Sequence, residues 1–209
     1  MKKLLIGTFS NNHDVSMSLA TSLVAIVGQA VDVEVSTALI ANSNSDLGSL
    51  ATLLDSFVAS ESEYFLLLDK EVGITPQTVF AAIALYTKAN PTNFDIIAFP
   101  ILDGDLSGQS SPIMSAPIGA PVDDLVQVEV ASLSAMMISK NAANKLISKF
   151  ESEGGNVASV FGLGTNIDTN TAFFSAAKLA GLTVGMKVNS ETTISYRRSF
   201  AYGSEPTQA

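Results

Sequence analysis

The chain has 209 residues, enough for one large domain or two small ones with a buried core. Eleven Lys and Arg stand against twenty Asp and Glu, and the net charge of -9 argues against a nucleic-acid partner or docking on anionic lipid. With no cysteine and a single histidine, His13, disulfides, thiolate metal sites and multi-histidine sites are excluded.

Only 15% of residues are charged, against roughly 25% in an ordinary soluble domain, while 47% are hydrophobic. Ser, Thr, Asn and Ala must therefore cover much of the outside. Two explanations stand: surface buried against protein partners or other copies, since interface centres are depleted in charge, or the habit of the source organism. Lys2 and Lys3 precede an apolar stretch of only Leu4 to Ile6, too short for a signal peptide. Residues 23–27, the most apolar later segment, fall far short of the ~20 needed to span a bilayer. The expectation is a soluble protein that stays in the compartment where it is made.

Strand-like and helical patterns alternate from the start. Residues 3–9 form a continuous apolar run and predict a buried strand. Asp14 is placed to cap a helix whose apolar side carries Val15, Leu19, Leu23, Ile26 and Val27. Residues 32–39 alternate Val33 and Val35 with Glu34 and Ser36, a second strand. Helical spacing returns over 46–59 with Leu47, Leu50, Leu54, Phe57 and Val58. Residues 64–68 are wholly apolar, which predicts a strand central in a parallel sheet. Thr75-Pro76 opens a helix, threonine as cap and proline in the first turn, that runs to about Lys88 and is stopped by Asn90-Pro91. A fourth strand follows over 94–99.

Residues 100–124 change character: Gly, Pro and Ser dominate, no period is visible, and the stretch reads as a long loop. Strand character resumes over 126–130 and 133–138, and 141–150 is helical. Residues 151–164 read as loop, with Gly162-x-Gly164 a flexible segment rather than a dinucleotide fingerprint. A helix over 169–182 has Gly181 as its C-cap. Short strands over 183–188 and 192–196 close the pattern. Phe150, Phe161, Phe173 and Phe174 are expected in the core. Alternation of this kind, without a repeat or linker, predicts one α/β domain.

The chemistry concentrates after the third strand, in Leu68-Asp69-Lys70-Glu71 followed by Thr75-Pro76. A buried strand ending abruptly in acids places them at the carboxyl edge of the sheet, where open α/β folds bind ligands. Two carboxylates one residue apart suit a hard divalent cation facing a diphosphate. Solvated punctuation at a strand end gives the same composition. Arg197 and Arg198, the only arginines, have the fork geometry that clamps a diphosphate, and a solvated or interface-forming tail is the plainer reading. Asp103, Asp105, Asp123 and Asp124 bracket the Gly/Pro/Ser stretch as a solvated loop.

The stretch 63–76 resembles the Asp-x-Asp strand of GT-A fold glycosyltransferases, especially the short glycosyltransferase-like proteins of bacteriophages. In those a strand ends in Leu-Asp-x-Asp, and Pro and a helix follow. The resemblance covers most of the chain. Residues 3–8 match the first nucleotide-binding strand, 49–59 the helix before Asp-x-Asp, 94–100 the strand after it. Residues 128–146 are similar to the family's strand, its Gly-x-Gly-Phe-Met-Leu-Ile step and the next helix, and 169–184 to the helix that begins with an acidic pair and ends in Ala-Gly.

The resemblance implies a GT-A type α/β domain with a mixed, mostly parallel sheet flanked by helices. It divides into a nucleotide-binding-like half (1–99), the loop (100–125), an acceptor-like half (126–196) and a tail (197–209). It further implies that Asp69 contacts the nucleotide and, with Glu71, a Mn or Mg ion. His13 would lie near the base, and Arg197 and Arg198 near the diphosphate. Several expected groups are replaced: the Arg-Asn pair by Leu50-Ala51, the two glycines by Ser132 and Ser134, and the catalytic acidic pair by Thr169-Asn170. The metal-binding His near the end falls around Ser195 or Tyr196. The nearest acid to the lost pair is Asp168, the remaining candidate base. Neither threonine nor asparagine takes a proton at neutral pH. The expectation is a glycosyltransferase-like domain that has lost catalysis and acts as a binding or structural module. A phage-particle surface or decoration protein is the natural setting, in the virion or the host cytoplasm. The alternative is an active metal-dependent transferase using a nucleotide sugar.

Overall fold

A computed structural model of the chain describes residues 1–10, 15–41, 46–87, 94–100, 118–122, 124–187 and 192–194. The first half alternates β1 (Lys2–Ser10), α1 (Met17–Gln29), β2 (Val33–Ala41), α2 (Asp46–Ala59), β3 (Tyr64–Leu68), β4 (Val72–Ile74), α3 (Pro76–Thr87) and β5 (Ile96–Ala98). The second half holds β6 (Ile118–Val122), β7 (Leu125–Val128), β8 (Ala135–Ser139), α4 (Lys140–Glu151), α5 (Val157–Val160), α6 (Thr169–Leu179), β9 (Val184–Lys187) and β10 (Thr192–Ile194). Among the described residues no helix is long and apolar enough to cross a membrane.

Eight strands form one sheet in the order β2-β1-β3-β8-β5-β9-β7-β6, and β4 pairs with β10 in a separate antiparallel ribbon. β2, β1, β3, β5, β9 and β6 point one way, and β8 and β7 run against them. β3 is interior and buried at every residue, as its apolar run predicts. Its neighbours differ from expectation, however: it is parallel to β1 and antiparallel to β8. Local pattern carries no information about that insertion, because a strand buried on both faces reads the same in either direction.

Alternation along the strands divides the core in two. Leu5, Phe65 and Leu67 face α2, α4, α5 and α6, while Leu4, Ile6, Leu66 and Leu68 face α1 and α3. On the first face Phe57 stacks on Phe65 at 5.3 Å, and Phe161 on Phe173 at 5.4 Å. Each such fully buried ring stabilises the fold by about 1.5–3 kcal/mol. Phe150 is partly buried against the same cluster, and Phe174 lies within it.

Several local expectations need correction. Ser16, not Asp14, caps α1 by accepting the Leu19 N–H at 3.1 Å; Asp14 lies outside the described residues, as do Lys88, Asn90 and Pro91. The long loop contains the strand β6, whose Pro121 and Gly119 hide it from a propensity reading. The segment after α4 contains the single-turn helix α5, held by a reciprocal cap between Asn156 and Ser159. Gly162 and Gly164 adopt positive φ in the turn that follows. α6 ends at Leu179, three residues early, in a Schellman motif: Gly181 at φ 66 and Leu182 return their N–H groups to Lys178 and Ala177.

Candidate functional site

β1 and β3 run parallel with Gly7 opposite Leu67, so their ends deliver Phe9 and Asp69 to the same rim of the sheet. Gly7 makes this closeness possible: a Cβ there would stand 2.5 Å from the Phe65 ring. Leu50 of α2, Leu133 and Ser134 before β8, and Thr169 and Asn170 of α6 complete a pocket of about 150 Å³. Ligand pockets for drug-sized molecules run to roughly 300–1,000 Å³.

Asp69 is the one acid among the described residues of the wall, and hydrogen bonds already hold it. Its N–H donates to the Ser134 carbonyl at 2.7 Å, and its Oδ1 accepts the Glu71 N–H at 2.9 Å. The Val72 N–H donates to its carbonyl at 3.0 Å, which closes the turn between β3 and β4. Glu71 does not line the pocket, and its Oε2 is buried without a hydrogen-bond partner among the described residues. The carbonyl of Lys70 accepts the Ser16 N–H at 3.0 Å and ties this turn to the start of α1.

The described residues of the opposite wall are uncharged. Asn170 Oδ1 accepts the Leu133 N–H at 2.9 Å, and Ser132 Oγ accepts the Ser134 N–H at 3.1 Å. Asp168 caps α6, accepting the Thr171 N–H at 3.0 Å. Hydrogen bonds from Thr171, side chain first and then backbone, hold its carboxyl below the usual carboxylate range. Its side chain is not part of the pocket wall. His13, Arg197, Arg198, Ser195 and Tyr196 lie outside the described residues, with Asp103, Asp105 and Asp123. Asp124 sits 3.9 Å from the buried Lys187 Nζ.

The pocket thus gathers four expected positions (Leu50, Asp69, Ser134 and the pair Thr169-Asn170) around one point and leaves Asp168 and Glu71 beside it. Phe9 and Leu133 were not foreseen. Only the register of β1 against β3 and the Asn170 bond to the 131–134 segment bring them in.

No protein-family model matches the sequence, nor does any curated protein. Solved structures do resemble the fold. A viral protein from STIV superposes with TM-score 0.60 at 14% identity, over 92% of this chain and 84% of its own. A GalNAc-T solved with UDP, GalNAc and Mn2+ gives TM-score 0.61 at 8% identity over 94% of this chain. The fold is of the GT-A type. This chain spans only 44% of that GalNAc-T, but 89% of the inositol-1-phosphate CTP transferase from T. maritima, at TM-score 0.52 and 14% identity. At such identities the likeness is one of fold.

Among the described residues the donor set does not fit a metal-diphosphate centre: Asp69 faces the pocket with an oxygen already accepting a backbone N–H, and Glu71 does not line it. Among the described residues no group of three or more His, Asp or Glu is placed to hold a metal ion. A hard cation bound through fewer protein groups would have to keep most of its water.

Proposed function

We propose that this chain is a GT-A type domain that no longer transfers sugar and serves as a binding or structural module, a surface or decoration protein of a bacteriophage particle. The observation that carries the reading is the pocket itself. Phe9, Leu50 and Asp69 meet Leu133, Ser134, Thr169 and Asn170 there, and the described groups around it hold backbone instead of facing a reactant. Asn170 secures Leu133, Asp69 secures Glu71, and Asp168 secures the first turn of α6. Transfer with inversion needs a base near the acceptor and fixed positive charge near the leaving diphosphate. The described wall offers neither. The STIV likeness over most of both chains and the charge-poor composition support a particle-bound setting with protein partners.

One observation favours a second reading, an active transferase. Glu71 Oε2 is a buried acceptor with no partner among the described residues, two residues from Asp69. An orphan of this kind costs about 1–3 kcal/mol. On this reading Asp69 and Glu71 hold Mn or Mg, Asp168 is the base, and His13, Arg197 and Arg198 meet the nucleotide and diphosphate. The UDP released from UDP-GalNAc and UDP-glucose with Mn2+, measured with and without added acceptor sugars, separates the two. The first reading predicts release at the rate of buffer alone. Enzyme-dependent release that Asp69→Asn abolishes would overturn it.

A further inference from the structure

The two edges of the eight-stranded sheet are built differently. β6 is five residues long, contains Pro121 and Gly119, and shifts register against β7. Short length, proline and a bulge are the devices that keep an edge from pairing with another chain. β2 has none of them. It is a nine-residue strand, Val-Glu-Val-Ser-Thr-Ala-Leu-Ile-Ala, paired along its whole length with β1, and no described strand pairs with its outer side.

Beside this edge lies an exposed apolar stripe. Gln29 of α1 hydrogen-bonds Gln77 of α3, so α3 lies on that side of the helix. Leu23, toward the other side, packs against the same buried cluster as Val33 and Val35 of β2. Helical geometry places Val27, 53% exposed, next to Leu23 on that side, and Val24 and Met17, 75% and 80% exposed, on the outward face beyond it. Val31, at 85%, follows the helix, and Leu39, at 52%, shares the strand face of Val33 and Val35. α1 carries no charged residue, and β2 carries only Glu34.

We infer that this edge is the contact surface for a second copy of the chain, with β2 pairing antiparallel with its partner's β2 across a two-fold axis. Three features select a copy over another occupant. An edge strand is its own complement under a two-fold, because each copy presents the same donors and acceptors. The charge pattern suits self-association of a chain carrying -9, since centring the pair on Thr37 sets Glu34 opposite Ile40 and far from its own image. The size is adequate: nine strand residues span about 30 Å, and a strip about 20 Å wide covers strand and helix. That is roughly 600 Å² per copy, at the lower bound of a stable interface. The inference stands on this edge alone and does not depend on the pocket having lost catalysis.

Sedimentation velocity on the full chain from 1 to 100 µM tests it. The expected result is a dimer whose dissociation constant rises at least ten-fold in Val27→Lys and in Leu39→Lys. Both positions are exposed, so the far-UV spectrum and Tm should match the parent. In a chain without cysteine, Thr37→Cys should also form a disulfide-linked dimer under mild oxidation, and Glu34→Cys should not. A monomer at 100 µM, or a dimer indifferent to both lysine substitutions, would overturn the inference and leave β2 to another occupant.

Discussion

Asn170 accepts the Leu133 N–H through its side-chain oxygen at 2.9 Å, across 37 residues of chain. The bond fixes the segment leading into β8 against the start of α6, and so sets one wall of the pocket. It also puts an amide at the position where the sequence resemblance implies an acid. An asparagine committed in this way is a structural tie, which accounts for its presence without any reaction.

Removing the tie should therefore cost stability. Asn170→Ala leaves the Leu133 N–H without its acceptor and is expected to lower the unfolding free energy by about 1–2 kcal/mol. Asn170→Asp keeps the acceptor and should stay within about 1 kcal/mol of the parent. Urea denaturation of the three proteins checks the pair.

Asp168 makes the stability of α6 depend on pH with a definite sign. Its folded pKa lies below the unfolded one, because Thr171 hydrogen-bonds the ionised form. The stabilisation is thus present above the unfolded carboxylate pKa and disappears as pH falls through the folded value. Asp168→Ala should have a lower Tm than the parent at pH 7, and the gap should close as pH falls through and below the carboxylate range. Asp168→Asn, which still caps, should show little of either effect.

Two glycine substitutions should act in opposite directions. Gly7→Ala drives a methyl to 2.5 Å from the ring of Phe65, which is stacked on Phe57, and is expected to destabilise by about 1–3 kcal/mol. Gly28→Ala, near the exposed end of α1 with open space around it, should stabilise by up to about 1 kcal/mol. Thermal melts of both report the contrast.

Lys140, at the start of α4, caps the end of α2 from outside. Its Nζ donates to the carbonyls of Phe57 and Ser60, each at 2.7 Å, and sits 5.0 Å from the centre of the Phe57 ring. Lys140→Met keeps most of the stem and removes the charge-assisted bonds. Chemical denaturation should show a loss of about 2–3 kcal/mol.

The reach of sequence reading is clear from single elements. α2 and β3 fall at their expected bounds because their apolar periods, 3.6 and continuous, admit one structure each. β6 is illegible for the reason that makes it a good edge: proline and glycine break the pattern that would announce it. α5 is a single turn, too short for any period, and only the Asn156-x-x-Ser159 spacing signals it. At the site, the order of replaced residues foretells that Leu50, Asp69, Ser134 and Asn170 converge. It does not foretell that Asp69 is bonded to its own turn, that Asp168 is a helix cap, or that Glu71 turns away from the pocket. The first two are local bonds, to the N–H two and three residues on, that compete with the catalytic roles the resemblance implies, and the direction of Glu71 depends on how the β3–β4 turn packs.

On the proposed reading the pocket no longer binds nucleotide sugars, and thermal unfolding measures that directly. With UDP-GalNAc or UDP-glucose at millimolar concentration and Mn2+ present, Tm should not move. A ligand at 100 times its dissociation constant would add about 2.7 kcal/mol, which for a chain of this size raises Tm by roughly 5–10 °C. A rise of that size, lost in Asp69→Asn, would contradict the account.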